Sequence, residues 1–348
     1  MSAQFFRVQK HSVPCQHIRE YPRATAAVQE DVLKLAVKQY TPLDNPNPSP
    51  GDITIISAHA NGFIKVYKPM IHNGYLLTEV LLWVMLSLIH PRLLTTLVLL
   101  DPVIQKFGMN PFGSHPVEPS TFRRDIWPSR REAEASFRNN KFYQNWDERV
   151  LQRWIRYGLR DLPTSVYPNP IGEGENAVTL TTAKLQEVTT FARPNYDGKE
   201  GINRLTHADL DPDDLTAYPF YRPEPPMIFK SLPHLRPSVL YIFAEKSPLS
   251  IPLLRDQKME VTGVGVGGSG GAKEGRVKQV VLEGIGHEIA MEAAKSCADA
   301  AASWLGAEIS RWKALEEEFQ EKWSKRIRQD MVVVSELWKQ KINEKPKL

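Results

Sequence analysis

Cysteine is almost missing from this chain: 348 residues hold two, Cys15 and Cys297, far apart and outside any metal-ligand spacing. That excludes a disulfide framework and a thiolate zinc site, and makes a reducing interior the expected setting. The nine histidines show no paired ligand spacing, which disfavours a metal hydrolase. Charge of one sign is not in excess either. Lysine and arginine total 44 against 40 for aspartate and glutamate, scattered along the chain, so nucleic acid has no basic face to bind. No apolar run reaches the ~20 residues of a membrane span. The most apolar stretch, Tyr75 to Ile89, is shorter and carries Glu79, and reads as a buried core helix. No secretory signal opens the chain, since Phe5 and Phe6 run straight into Arg7, Lys10 and His11. The first strand turn lacks a glycine-rich phosphate cradle, so a nucleotide-binding fold is disfavoured and no cofactor is expected.

What is present alternates between strand and helix signals. Gln4 to Val8 and Val32 to Tyr40 read as two half-exposed antiparallel strands. A link from Thr41 to Pro50, with four prolines, leads into Ile53, Ile55 and Ile56, a β-branched run expected to form a buried strand. That run empties into a small-residue turn, His59-Ala60-Asn61-Gly62-Phe63, where Gly62 allows a sharp turn and the Phe63 N–H could face a developing oxyanion. Leu93 to Leu100 is nearly all apolar, the pattern of a parallel strand covered on both faces, and stops at Asp101-Pro102. From Phe107 to Pro237 the chain turns aromatic, proline-rich and charged, which we read as a helical lid inserted into a sheet domain. Its stretch Asp211 to Pro237, with seven prolines, is expected to be irregular. Strands return at Ser238 to Ala244 and Arg276 to Leu282, separated by a flexible glycine-rich loop, Val261 to Gly275. Gly286-His287 follows the last of them, then a helix to about Leu305 and another from about Glu308 to Lys341. The expected units are 1–106, the first half of the sheet domain; 107–237, the lid; 238–306, the second half; and 307–348, a terminal amphipathic helix and tail.

The order of these motifs resembles the fungal α/β-hydrolases of toxin biosynthesis, a group that is often peroxisomal. The resemblance is carried by His59 to Phe63, by His90-Pro91-Arg92-Leu93-Leu94 running into Leu99-Leu100-Asp101-Pro102-Val103-Ile104, by Glu245-Lys246-Ser247-Pro248-Leu249-Ser250, and by Gly286-His287. It implies an α/β-hydrolase fold, a mostly parallel sheet flanked by helices, with serine-hydrolase chemistry on an ester, thioester or related acyl bond of a small molecule. His287 is then the expected base. Asp101 resembles the alternative acid position used by part of the superfamily, and Glu245 is the second candidate, two residues short of the usual place, which Ser247 occupies. Gly62 and Phe63 would supply the oxyanion N–H.

The family pattern breaks at the nucleophile. Such a hydrolase needs strand, Gly-x-Ser-x-Gly, helix, and no such element lies between Phe63 and Leu97. The sheet also calls for about two more strands and two more helices there, on the order of 50 residues at ordinary element and loop lengths. The central part is therefore expected to be truncated and the activity impaired; a non-catalytic hydrolase-like scaffold or binding protein is the other reading. Gly267-Gly268-Ser269-Gly270-Gly271 matches the motif by letter, but no apolar strand precedes it. Ser57 and Ser87, one in the expected strand and one in the helix, are poor nucleophiles.

Two features close the chain. Trp312, Leu315, Phe319, Trp323, Ile327 and Met331 form an apolar stripe expected to dock on the body, with a partner helix or membrane surface as alternatives. Pro346-Lys347-Leu348 resembles the Ser-Lys-Leu tripeptide read by the peroxisomal import receptor, which implies a peroxisomal address, with the cytoplasm as alternative.

Overall fold

The computed structural model describes residues 4–14, 28, 30, 32, 34–49, 52–56, 80–90, 92–108, 116–169, 176–196, 207–210 and 219–344. Strands β1 (Phe6–Pro14) and β2 (Lys34–Pro42) form an antiparallel pair, with Phe6 opposite Pro42 and Pro14 opposite Lys34. Helix α1 (Val80–Ile89) then leads into β3 (Thr96–Leu100). An insertion follows. It contains α2 (Val117–Phe122), β4 (Ile126–Trp127), α3 (Arg130–Arg138), α4 (Lys141–Gln144), α5 (Glu148–Tyr157), β5 (Leu159–Asp161), β6 (Val178–Leu180), α6 (Lys184–Phe191), β7 (Arg193–Pro194), β8 (Phe220–Tyr221) and α7 (Glu224–Ser231). The chain then returns through a 3₁₀ turn, Leu232–His234, to β9 (Ser238–Ala244), α8 (Pro252–Val261), β10 (Val277–Leu282), α9 (Ile289–Glu292), α10 (Ala294–Ser324), α11 (Arg328–Val332) and α12 (Glu336–Asn343).

The organising sheet is β10-β9-β3, parallel throughout, with every residue of β9 buried. Alternate side chains feed two cores, as the strand period requires. Leu97, Leu99, Val239, Tyr241 and Phe243 pack against Trp83 and Val84 of α1 and Ile228 and Phe229 of α7. Val98, Leu100, Leu240, Ile242 and Ala244 pack against Ile289, Ala290, Cys297, Ala301 and Trp304 of α9 and α10. Both faces of β3 and β9 are covered, which is why these two strands are continuous apolar runs, whereas the edge strand β10 carries exposed Lys278 and Gln279.

Several expectations need correction. Asp52 to Ile56 forms no strand, and Ile53, Ile55 and Ile56 are exposed, because no described strand pairs with them. The turn with Gly62 and Phe63, and most of Tyr75 to Val80, lie outside the described residues. The loop Val261 to Gly275 is pinned, not flexible: the amides of Gly263, Gly265 and Ser269 donate to the carbonyls of Leu232, Pro233 and Leu235 at 2.8–2.9 Å. The proline-rich stretch contains helix α7, since Pro225 and Pro226 stand in its first turn, where a missing N–H leaves no helical bond unmade. Finally, α10 runs unbroken through Gly306 to Ser324, and its stripe does not dock along its length. Trp304 and Glu308 are buried, Trp312 and Phe319 are half-buried, and Leu315, Trp323, Ile327 and Met331 are exposed.

Candidate active site

The carboxyl ends of the three parallel strands lie at one edge of the sheet, where ligands of open α/β sheets collect. Leu100 pairs with Ile242, and Leu282 pairs with Ala244. Asp101 extends β3 by one bond, its N–H donating to the Ile242 carbonyl at 2.8 Å. Its φ is +39°, the only positive value on a non-glycine residue among those described. Holding an L-residue there costs on the order of 1 kcal/mol or more, and such strain persists where surrounding bonds over-determine it.

Those bonds converge on the Asp101 carboxylate, which is 1% exposed. Oδ2 lies 2.7 Å from Nδ1 of His287, and Oδ1 accepts the Ala244 N–H at 3.3 Å. The buried Ser247 hydroxyl adds a further hydrogen bond. Burial alone would push this carboxyl up, but the His287, Ser247 and Ala244 donors outweigh it and hold the group below the ordinary carboxylate value. Burial likewise pulls His287 down, and the hydrogen bond and charge of Asp101 overcome it, leaving the imidazole raised. An ionised Asp101 accepts a hydrogen bond from Nδ1–H, so neutral His287 presents a lone pair at Nε2. The ring is crowded by protein yet its side chain is 40% exposed, so a small molecule can reach it. Among the described residues nothing hydrogen-bonds to Nε2.

Other candidates fall elsewhere. Glu245 is exposed and its Oε2 accepts the Gly284 N–H at 2.7 Å, so it braces the turn after β10 and does not meet His287. The Ser269 turn is tied to Leu235, ahead of the amino end of β9, whereas Asp101 and His287 stand at the carboxyl end; seven residues of strand put about 20 Å between those ends. Ser87 is buried and donates to the Val84 carbonyl of its own helix at 2.7 Å. Ser57 lies outside the described residues.

Sequence reasoning missed three residues that shape the site. Ser247, noted only as standing in a carboxylate's place, supports Asp101. Glu288, next to His287, is raised by burial first and then by the charges of Glu292, Glu187 and Asp101. Lys258 of α8 is 1% exposed, with Nζ donating to the carbonyls of Leu249 and Leu254, at 3.3 and 3.2 Å, and to no carboxylate among the described residues. Burial lowers it to about 8, partly offset by the charge of Asp101. No sequence signal separated it from the other lysines, because its burial is set by the fold of the segment after β9.

No protein-family model matches the chain. It is 34% identical over 406 aligned positions to the type I acyl-CoA thioesterase mpaH' of Penicillium brevicompactum, covering 92% of each chain. It is 33% identical over 410 positions to mpaH of Penicillium roqueforti, again covering 92% of each. The alignments are longer than the 348 residues of the chain, so dozens of positions in these relatives have no counterpart here. An abhydrolase domain-containing protein of Alternaria alternata, AFT2-1, is 27% identical over 63% of this chain and 77% of its own. Among solved structures, the peroxisomal α/β-hydrolase Lpx1 of Saccharomyces cerevisiae superposes with a TM-score of 0.53 at 12% identity, over 97% of this chain and all of that one, a likeness of fold. The chain belongs to the fungal α/β-hydrolase family that contains the Penicillium type I acyl-CoA thioesterases.

Proposed function

We propose that this protein derives from thioesterases that hydrolyse acyl-CoA-type substrates, with Asp101 and His287 as acid and base, Phe63 N–H as oxyanion donor, and the insertion as a lid over the acyl group. The observation that carries the reading is the 2.7 Å contact between a buried, strained Asp101 and an accessible His287 at the carboxyl edge of the sheet. In the full reaction His287 Nε2 takes the proton of the nucleophile, which adds to the acyl carbon, and returns it to the departing thiolate; water then releases the acyl group by the same relay. Without the elbow, only water remains as nucleophile, so turnover is slow.

The test is acyl-CoA hydrolysis followed by thiol release, together with fluorophosphonate labelling. We expect no labelling and a residual hydrolysis that His287→Ala removes and Ser269→Ala spares. Labelling lost with Ser269→Ala would overturn the assignment of the nucleophile. Grafting the relative's corresponding segment between Phe63 and Leu97 should restore both signals. The second reading, a hydrolase shell used for binding, is favoured by the relatives' extra positions, which have no counterpart here; acyl-CoA binding unchanged by His287→Ala, with no hydrolysis at all, would establish it. The tail Pro346-Lys347-Leu348 supports a peroxisomal address: an N-terminal fluorescent fusion should give peroxisomal puncta that become diffuse when these three residues are removed.

A further inference from the structure

Lys258 is a buried cation that the acid–base reading leaves without a task. Its Nζ stands 5.7 Å from the centre of the Phe243 ring on β9 and donates to the carbonyls of Leu249 and Leu254. Enclosing an ammonium among neutral dipoles is costly, and methionine would fill the same space without that cost. What the ammonium does and methionine does not is join two carbonyls, Leu254 of its own helix and Leu249 of the turn that follows β9.

That turn, Ala244 to Ser250, leads back to Asp101. The Leu249 N–H donates to Oγ of Ser247 at 3.1 Å, and the Ser250 N–H to the Ser247 carbonyl at 3.2 Å. The Ser250 hydroxyl and the Ser247 N–H both donate to the Ala244 carbonyl, at 2.5 and 3.2 Å. Ala244 in turn gives its own N–H to Oδ1 of Asp101 at 3.3 Å. Asp101, Ser247, Ser250 and Lys258 are each 1% exposed or less, so these bonds are shielded from bulk water. An aspartate carboxylate rotates over a broad range, and the Ala244 bond on Oδ1 is what aims Oδ2 at His287.

We propose that Lys258 is a positioning residue for Asp101: its ammonium fixes the Ala244–Ser250 turn, and the turn fixes the carboxylate so that Oδ2 stays on Nδ1 of His287. The inference rests on the reading of Asp101 and His287 as acid and base. The strained backbone of Asp101 is then held from two sides, by its own N–H on the Ile242 carbonyl and by the turn on its carboxylate. A site works at full rate only when the residues behind its reacting groups are themselves locked, and here α8 supplies the lock.

The sign of one measurement separates this role from that of a bystander charge. Removing a merely neighbouring cation, as in Lys258→Met, would raise the imidazole midpoint of His287. If Lys258 positions Asp101, the same variant loosens the Oδ2–Nδ1 bond, and the midpoint read by NMR on the full chain should fall below the wild-type value. Ser250→Ala changes no charge but releases the Ala244 carbonyl, and should lower the midpoint too. Glu288 and Arg222, the other charges that act on His287, are untouched in both variants. Residual acyl-CoA hydrolysis should drop about tenfold in kcat with KM unchanged. Either variant decides the question if the other fails to fold. A midpoint that rises in Lys258→Met, or stays at the wild-type value in Ser250→Ala, overturns the proposal. Lowered midpoints with hydrolysis unchanged would keep the positioning role and overturn the acid–base reading instead.

Discussion

At the scale of single residues, the site is a set of opposed pKa influences, and two variants separate them. Asp101→Asn removes the charge that lifts His287, so the imidazole midpoint read by NMR should fall below its wild-type value. Sign follows from linkage: the raised His287 stabilises the fold below its unfolded value of 6.5 and loses that contribution as pH climbs through the folded value. The lowered Asp101 contributes above 3.8 and loses its contribution as pH falls through the folded value. The variant should therefore flatten stability on both sides. Lys258 acts in the opposite sense. Its folded value near 8 against 10.5 penalises the fold while it is charged, and the penalty is relieved between those two values. Stability of the natural chain to urea should rise over that interval, and that of Lys258→Met, which keeps the length of the side chain, should not.

At the scale of elements, the sheet is fastened to α10 by a buried carboxylate. Glu308, 1% exposed, meets Arg276 at 3.1 Å and Arg311 at 2.9 Å, and takes the Ser238 hydroxyl at 2.5 Å. Glu308→Ala deprives the partly exposed Arg276 and Arg311 of their carboxylate and leaves the buried Ser238 hydroxyl without its acceptor, and should cost about 1–3 kcal/mol in urea unfolding. The same anchor explains why the expected break near Gly306 does not occur. A helical glycine costs only about 1 kcal/mol, and the buried Trp304 and Glu308 on either side of it seat that stretch of α10 on the sheet. In the insertion, Trp154 is 2% exposed amid Phe137, Tyr143 and Trp146, and Trp154→Ala should cost about 3–5 kcal/mol.

At the scale of the molecule, legibility followed the density of local constraint. β3 and β9 could be read from sequence because a strand buried on both faces must be apolar at every position; Asp101 stood out because it stops β3 abruptly, and His287 because it follows the glycine turn after β10. Ile53 to Ile56 carried a similar composition but pairs with no strand among the described residues, and composition alone does not make a ladder. The pinned glycine loop was misread for the converse reason: its order comes from carbonyls of the distant segment Leu232 to Leu235, which no local pattern announces. Lys258 and Ser247 were invisible because their burial depends on how the β9–α8 connection wraps beneath Asp101.

Met291, four residues beyond His287, belongs to the aromatic core of the insertion, and its carbonyl accepts the Asp147 N–H at 2.8 Å. The histidine turn and the insertion are thus riveted together, and swinging the insertion outward would pull His287 off Asp101. The turn that carries His287 and the insertion should therefore open together. Hydrogen exchange should register this as one event, with the Asp147 and Met291 amides opening at a common rate; a much faster rate at Asp147 alone would show that the insertion opens by itself.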